Sequence, residues 1–369
     1  MKEKSKESKF KNLIIAGIFP ISIIIILLGS ALIYNKFFYK KSYNEVEKIM
    51  LNAAQEYFNK YDEKLPLNIN DSITITDETL IKSNYMDTIL SYTKEKNVTC
   101  DGKVTVTNIN GNYRYTSLLD CGNTYQTKYL TEQIKDNEQI VTEGNGLYNL
   151  NNELVYRGEY VNNYLKLSGR IYRIVKIKDG RPVIILTDTS DSVVWDNRYN
   201  IQTDNSTGFN DYEKSRMRTY LDNLYKAESE GALLTKTAKL LVTSHDLPIG
   251  RRVNADTDKT GTLENAKVLT NQYIGLLPIS DFLNASTDVN CTETTSKSCI
   301  NENYLSKYKY TWWTITANSN TTNKVYVVNG IAHTSTANST AYIRPVLYLA
   351  KDTIYVSGNG TKNNPYLIK

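Results

Sequence analysis

The chain has 369 residues, which is enough for a short N-terminal segment and about two domains. Its net charge of +5 is misleading, because residues 1–41 contain eight lysines and two glutamates and carry +6 by themselves. The remaining residues have a net charge of −1. A near-neutral surface argues against nucleic-acid binding, which depends on a basic face.

Residues 13–34 form an apolar run, LIIAGIFPISIIIILLGSALIY, without one charge. As a helix this run would be about 33 Å long, enough to cross the apolar part of a bilayer. A buried helix of a globular domain is the alternative, but such helices are shorter and carry a polar stripe. We therefore predict a single transmembrane helix at 13–34, with the lipid bilayer as its partner.

The charges before this run predict its orientation. Residues 1–12 contain five lysines and two glutamates. A short lysine-rich tail stays in the cytoplasm, so residues 35–369 are predicted to lie outside the cell in a single-pass membrane protein. Three lysines soon after the run weaken this asymmetry. Gly29-Ser30-Ala31 also fits a signal-peptide cleavage site, which stays open beside the uncleaved anchor that we favour.

The four cysteines form two local pairs, Cys100/Cys121 and Cys291/Cys299. Outside the membrane, an even count with local spacing predicts two disulfides. Sequential pairing is the simplest of three connectivities. No zinc site is predicted, because no CxxC occurs and the only two histidines stand far apart.

Residues 43–60 predict an amphipathic helix, since their apolar positions recur at spacings of three and four. Two strands, at 103–108 and 112–119, flank Asn110-Gly111, which is a favoured hairpin turn. The first cysteine pair brackets this hairpin. A disulfide there would close its open end, and so small a unit needs such a constraint.

The first part of the chain carries a motif set: an apolar helix, an amphipathic helix ending AAxxYF, and then C-x-G-x-V-x-V with a later Tyr and Cys. These residues are Ala53, Ala54, Tyr57, Phe58, Cys100, Gly102, Val104, Val106, Tyr115 and Cys121. The set resembles the type IV pilin and pseudopilin family over about residues 13–130. The resemblance implies a pilin-like stalk at 35–145, after a cytoplasmic tail at 1–12. The chain departs from that family where the prepilin cleavage pattern and its Glu should open the run.

Residues 146–369 predict a second domain of mixed helices and strands, so the whole chain is expected to be α+β. Asp179-Gly180 predicts a hairpin turn between two apolar strands. The predicted strands are 171–177, 182–187, 312–316, 324–329 and 341–349, and the predicted helical stretches are 211–226 and 233–242.

A second motif set lies in this domain: Tyr172-Arg173-Ile174, residues 215–221 (SRMRTYL), residues 277–280 (LPIS), Trp312-Trp313-Thr314 and residues 343–347 (IRPVL). This set resembles uncharacterised bacterial surface domains of the C-type-lectin-like fold, to which the formylglycine-generating enzymes are more distantly similar. The resemblance implies a C-type-lectin-like α+β domain at 146–369.

The sequence predicts no enzyme, catalytic residue or cofactor. His245 lies in Thr243-Ser244-His245-Asp246, but triads form across space and neighbouring side chains point apart. The formylglycine-generating enzymes use a reactive cysteine pair, whereas Cys291 and Cys299 fit a disulfide that closes a polar loop. No metal site is predicted either. Residues 254–258 alternate oxygen ligands as a calcium loop does, but Lys259 stands where glycine is needed.

The best binding candidates are the three tryptophans and one arginine. Trp195, Trp312 and Trp313 all fall in the lectin-like part. Arg344 precedes Pro345 on a predicted core strand, where we favour a buried structural cation over a ligand contact. Adjacent strand residues face opposite ways, so one of Trp312 and Trp313 is expected in the core. We expect a membrane-anchored surface protein that binds an extracellular glycan or protein partner. The alternative is a pseudopilin-like structural subunit of a pilus or secretion assembly.

Overall fold

The computed structural model describes residues 40–95, 97–188 and 191–369. The predicted transmembrane helix at 13–34 lies outside these residues. None of the helices described there is both long and apolar enough to span a bilayer. The described chain is α+β and is dominated by sheets, which confirms the predicted class.

The chain forms two compact units. The first runs to Gln126, except for Gly111–Arg114, which group with the second unit, Thr127–Lys369. This division precedes the expected boundary at 146. The reason is that Leu130 and Ile134, on one helix, are fully buried in the core of the second unit.

The first unit combines one long helix with a three-stranded sheet. The sheet order is β1-β2-β3, and β1 is antiparallel to β2. The predicted long helix and both hairpin strands are confirmed. The elements are α1 (Tyr43–Lys60), β1 (Ser72–Thr76), α2 (Asp77–Lys82), α3 (Ile89–Thr93), β2 (Asp101–Ile109) and β3 (Asn112–Asp120).

Helix α1 begins at a capping box, in which the side chains of Ser42 and Glu45 each accept from the other's backbone N–H. The apolar face of α1 is buried in the unit. Gly102 on β2 packs against it, because a Cβ on this residue would lie 2.5 Å from the Cε of Met50. Glycine in the C-x-G-x-V motif therefore allows the sheet to approach the helix.

The hairpin of β2 and β3 turns at Asn110 and Gly111, which have φ angles of 52° and 83°. Two central residues with positive φ give the turn whose twist matches that of the strands. Cys100 and Cys121 flank the hairpin and are disulfide-bonded, as predicted.

The second unit contains an eight-stranded sheet, a six-stranded sheet and a two-stranded ladder. Its strands are β4 (Gly146–Leu150), β5 (Glu153–Arg157), β6 (Tyr164–Leu167), β7 (Arg170–Lys178), β8 (Arg181–Leu186), β9 (Ser192–Val194), β10 (His245–Pro248), β11 (Arg251–Arg252), β12 (Val268–Gln272), β13 (Trp312–Asn318), β14 (Lys324–Asn329), β15 (Ile331–Thr336), β16 (Thr340–Tyr342), β17 (Val346–Tyr348), β18 (Tyr355–Ser357) and β19 (Tyr366–Ile368). Its helices are α4 (Leu130–Asn137), α5 (Arg216–Lys226), α6 (Lys236–Lys239), α7 (Thr262–Asn265) and α8 (Ile279–Asn284).

The eight-stranded sheet has the order β17-β8-β7-β6-β19-β18, and β5 joins β7 to β4. Strand β19 lies between β6 and β18 and is parallel to β6. The six-stranded sheet has the order β15-β14-β13-β16-β9, and β11 also pairs with β13. Strands β10 and β12 form the antiparallel ladder. Residues from both large sheets enter one hydrophobic core.

Three predicted elements of this unit are different in the structure. A strand, β15, follows the turn at Gly330, although no strand was predicted between 324–329 and 341–349. The expected strand at 341–349 is divided at Pro345 between β16 and β17, which belong to different sheets. Proline lacks the N–H that a continuous ladder requires. Of the helical stretch at 233–242, only the four residues of α6 are α-helical.

The disulfide of the first unit generates a stability prediction. Replacing Cys100 and Cys121 by serine should destabilise this unit by about 3 kcal/mol, because the disulfide restricts a loop of roughly 20 residues in the unfolded chain. Native-state hydrogen exchange of the β2 amides measures this change. The control is the Cys291→Ser/Cys299→Ser variant, which should leave β2 exchange unaltered. Equal exchange in all three proteins would contradict the prediction.

Candidate functional site

The three tryptophans lie in the core of the second unit and have no exposed surface. Trp313 packs against Trp195 with ring centroids 5.7 Å apart, and its Nε1 donates to the carbonyl of Val193 at 2.9 Å. Trp312 packs edge-on against Phe282 at 6.4 Å. The expected ligand platform is therefore corrected to core packing, because both faces of β13 are covered.

Arg344 is also buried rather than placed at a surface. Its Nε donates to the carbonyl of Leu186 at 3.0 Å, and its guanidinium lies 4.7 Å from the ring centre of Tyr308 and 5.0 Å from that of Trp312. Burial lowers the pKa of Arg344 to about 10, so the group stays charged at neutral pH. Arg344 is therefore a structural cation, as favoured from the sequence, and its candidacy as a ligand contact is corrected.

Cys291 and Cys299 are buried and form the predicted second disulfide. Both sulfurs are engaged, so neither is available as the thiolate that a cysteine nucleophile requires. The pair closes the polar loop that precedes β13, as expected from the sequence.

The calcium-like loop at 254–258 directs its carboxylates to backbone donors. Asp256 accepts from the N–H of Val253 at 2.6 Å. Asp258 accepts from the N–H of Thr260 at 2.8 Å and from that of Leu263 at 3.0 Å. Across residues 40–95, 97–188 and 191–369, no group of histidine, cysteine or acidic side chains is arranged to hold a metal ion.

A polar groove on the second unit is the strongest candidate for a binding site. Its outer part encloses about 430 Å³, within the range of small-molecule sites. The rings of His245 and Tyr348 line it and stack with centroids 3.8 Å apart. Asp246, Asn265 and Asn271 are exposed and also line the groove.

His245 is buried, and neither of its ring nitrogens has a partner at hydrogen-bonding geometry. The pKa of His245 is lowered to about 3, chiefly by burial and then by the nearby positive charge of Arg181, while the backbone of Thr243 opposes the shift. The imidazole is therefore neutral at physiological pH, with one donor and one acceptor nitrogen.

The three consecutive residues Ser244, His245 and Asp246 do not form a triad. A triad requires the imidazole to bond both the hydroxyl and the carboxylate, and both ring nitrogens of His245 are unpartnered.

The inner part of the groove encloses about 190 Å³ and shares Lys178, Asn265 and Tyr348 with the outer part. Its lining includes side chains from two buried groups of charged residues. In the first, the Nζ of Lys176 lies 2.8 Å from the Oδ1 of Asp281 and 2.9 Å from the Oε2 of Glu153.

The second charged group is a fully buried ion pair. The Nη1 of Arg252 lies 3.1 Å from both carboxylate oxygens of Glu264, and its Nε donates to Thr294 at 3.0 Å. Glu264 also accepts from the N–H of Ser280, in the first turn of α8, at 3.1 Å. Burial raises the pKa of Glu264, and Arg252 offsets part of that rise.

Lys176 is charged. Burial lowers its pKa, but Asp281, Tyr348 and Glu153 outweigh burial, so the pKa of Lys176 is raised. A lysine with a raised pKa is a poor general base and a poor nucleophile in its resting state.

Sequence reasoning did not find these charged groups. Lys176 lies in the buried stretch of β7, where a charge requires a partner, but the strand (RIYRIVKIK) also contains two arginines and a second lysine, so this charge does not stand out in the sequence. Its partner Asp281 is 105 residues away, so no local spacing connects them. The buried Arg252 likewise lies in a short strand without a recognisable pattern.

Comparisons of the chain with protein-family models, curated proteins and solved structures gave no match.

The buried imidazole generates a pH prediction. The folded-state pKa of His245, about 3, lies below its ordinary value of 6.5, so its protonation favours the unfolded state. The stability that neutral His245 contributes is complete above pH 6.5 and is lost as the pH falls towards 3. The loss should be about 1.4 kcal/mol per pH unit within this window.

Urea unfolding between pH 7 and pH 4 measures this loss. The His245→Phe variant should show a flatter decline than the natural protein, whereas His333→Gln, at an exposed position, should match it. The prediction is wrong if His245→Phe declines as steeply as the natural protein.

Proposed function

We propose that the protein is a non-catalytic cell-surface binding module whose outer groove takes a neutral, hydroxyl-rich ligand of the glycan class. The observation that carries this proposal is the His245 imidazole, which is buried, neutral and unpartnered at the wall of a groove of ligand size. A buried polar group without a partner is costly, and both ring nitrogens are shielded from solvent at the groove wall. A ligand hydroxyl would satisfy one of them once a small displacement of the wall exposes it.

The charges around the outer groove support a neutral ligand. Two cations, Lys178 and Arg181, are balanced by two carboxylates, Asp179 and Asp246. Asparagine amides and carboxylates supply donors and acceptors to hydroxyl groups. A phosphate-rich polymer would require an excess of cations that this groove does not have.

The proposal includes no chemical step. The two titratable groups closest to catalytic use are His245 and Lys176. The first has a pKa far below physiological pH, and the second has a raised pKa. A general base works best with a pKa near the operating pH, and neither group meets that condition.

The proposal also includes the cellular location of the protein. The apolar run at 13–34 would hold the chain in the cell membrane as a single span, with the described units outside. The two disulfides support an oxidising exterior, because such bonds are rare in the cytosol. The proposal also includes a C-type-lectin-like fold for 146–369, with a more distant similarity to the formylglycine-generating enzymes. The sequence motifs of this domain support that resemblance.

A second function, a pseudopilin-like structural subunit, is favoured by one observation. In the first unit, the amphipathic α1 packs on a three-stranded sheet whose hairpin is closed by a disulfide. This arrangement fits the pilin-like stalk that the motifs imply. The missing cleavage pattern argues against assembly, so surface binding stays the first proposal.

Binding to a glycan and cell-wall-polymer array tests the first function. The full-length chain, purified in detergent, should bind a neutral glycan, and His245→Phe should weaken binding about tenfold because it keeps the ring stack and removes both nitrogens. Asp246→Ala should weaken it about fivefold. Lys362→Ala, at an exposed position outside the groove, is the control. A blank array, or binding unaffected by both groove variants, would reject this site.

Protease treatment of intact cells tests the location and separates the two functions. In untreated cells the protein should be in the membrane fraction and should retain its N-terminal lysine tail. Protease added to intact cells should degrade the described units. A mature N-terminus near Leu13 would instead indicate prepilin processing and favour the assembly function. Protection of the whole chain in intact cells would contradict the predicted orientation.

A further inference from the structure

Beneath the groove, one lysine and two carboxylates meet at bonding distance. The Nζ of Lys176 on β7 lies 2.8 Å from the Oδ1 of Asp281 on α8. The same nitrogen lies 2.9 Å from the Oε2 of Glu153 on β5. Asp281 and Glu153 therefore approach one amine together, which a simple ion pair does not require.

These three groups are held in a shielded position. The side chains of Lys176 and Asp281 are 10% and 7% exposed, and that of Glu153 is 25% exposed. Strands β5 and β7 pair directly, with Val155 opposite Lys176. Helix α8 is fixed at its first turn, where Ser280 donates its N–H to the buried Glu264. The reacting groups thus lie on regular elements and are oriented before any reaction.

We propose that Lys176 and Asp281 are joined by an intramolecular amide bond that the folded chain forms by itself, with Glu153 as the proton carrier. This would be a covalent modification site in the second unit. It does not depend on the proposed ligand, because the bond forms between two side chains of this chain.

The step is a condensation. The lone pair of the Lys176 Nζ attacks the Cγ of Asp281, an N–C bond forms, and one C–O bond of Asp281 breaks. The departing oxygen leaves as water with two of the three hydrogens of the original ammonium group. Glu153 accepts a proton from Nζ and delivers one to the departing oxygen, so its carboxylate is regenerated. Nothing is oxidised or reduced, and no other reactant is needed.

The reaction requires a neutral amine and a protonated Asp281. The resting state is the ion pair, because the carboxylates keep the pKa of Lys176 raised. Transfer of one proton within the hydrogen bond converts the ion pair into the neutral pair, and burial, which by itself lowers the pKa of Lys176, is the contribution that assists this transfer against the carboxylates. A minor neutral population is sufficient, since proximity makes the attack effectively unimolecular. The water that leaves can enter the adjoining cavity of about 190 Å³.

The bond would connect β7 to α8 across 105 residues of the chain. A crosslink over so long a loop removes many conformations from the unfolded state. Unlike a disulfide, an amide is not broken by a reductant. The consequence is a second unit that stays closed between these two points even when it unfolds.

Peptide mapping of the full-length chain tests the proposal. After reduction, alkylation and trypsin digestion, we expect a branched peptide that contains Lys176 and Asp281 and is lighter by one water than its two linear parts. The linear peptide that ends at Lys176 should be missing, since trypsin does not cleave after an acylated lysine. Recovery of that linear peptide as the main product would overturn the proposal.

Matched variants assign the bond. Asp281→Ala should restore the linear peptide, and Asp281→Asn should give the same branched product with ammonia as the leaving group. Glu153→Gln should slow formation at least tenfold. Lys178→Met, which removes the other lysine that pairs with Glu153, should keep the branched peptide. If the mass loss of one water persisted in Asp281→Ala, the dehydrated site would lie elsewhere, for example at Asp179-Gly180. That result would also overturn the proposal.

Discussion

A buried charge needs a partner, and this constraint organises the second unit around Lys176. Moving an ammonium group out of water costs several kcal/mol unless carboxylates and hydrogen bonds replace the solvent. Asp281 and Glu153 supply that replacement from a helix and a strand that are distant in sequence. The positions of α8, β5 and β7 are therefore interdependent, and Arg252 and Glu264 impose the same requirement on the neighbouring segment.

The polar character of the outer groove depends on the pairing of these charges. Because the ionic groups beneath it are paired with each other, its outer part presents amides, a balanced set of charges and a neutral imidazole. The rings of His245 and Tyr348 form a flat wall beside the exposed Asp246 and Asn271. Such a surface suits hydrogen bonding to an uncharged ligand better than attraction of a charged one.

The elements with a local cause could be predicted from the sequence. Asn110-Gly111 and Asp179-Gly180 form the expected hairpin turns because both positions in each turn have positive φ. The spacing of apolar residues predicts α1, and the two disulfides follow from local cysteine pairs.

The prediction of the ligand-binding residues was wrong for a physical reason. The sequence around a tryptophan is similar whether the side chain lies in a core or at a binding surface. Its burial depends on which other elements pack over it, and this is known only from the fold. The groove and its charges depend on pairings such as Lys176 with Asp281, which no local pattern reveals.

The position of β19 has a consequence for the order in which the second unit folds. Strand β6 is bordered on one side by β7 and on the other by β19, whose Tyr366 pairs with Leu165. Those two residues are roughly 200 positions apart, a separation of the kind that slows folding. During synthesis, the edge of β6 therefore stays unpaired until the distant segment that contains β19 has been made. A chaperone that shields strand edges would be most useful to this protein in that interval.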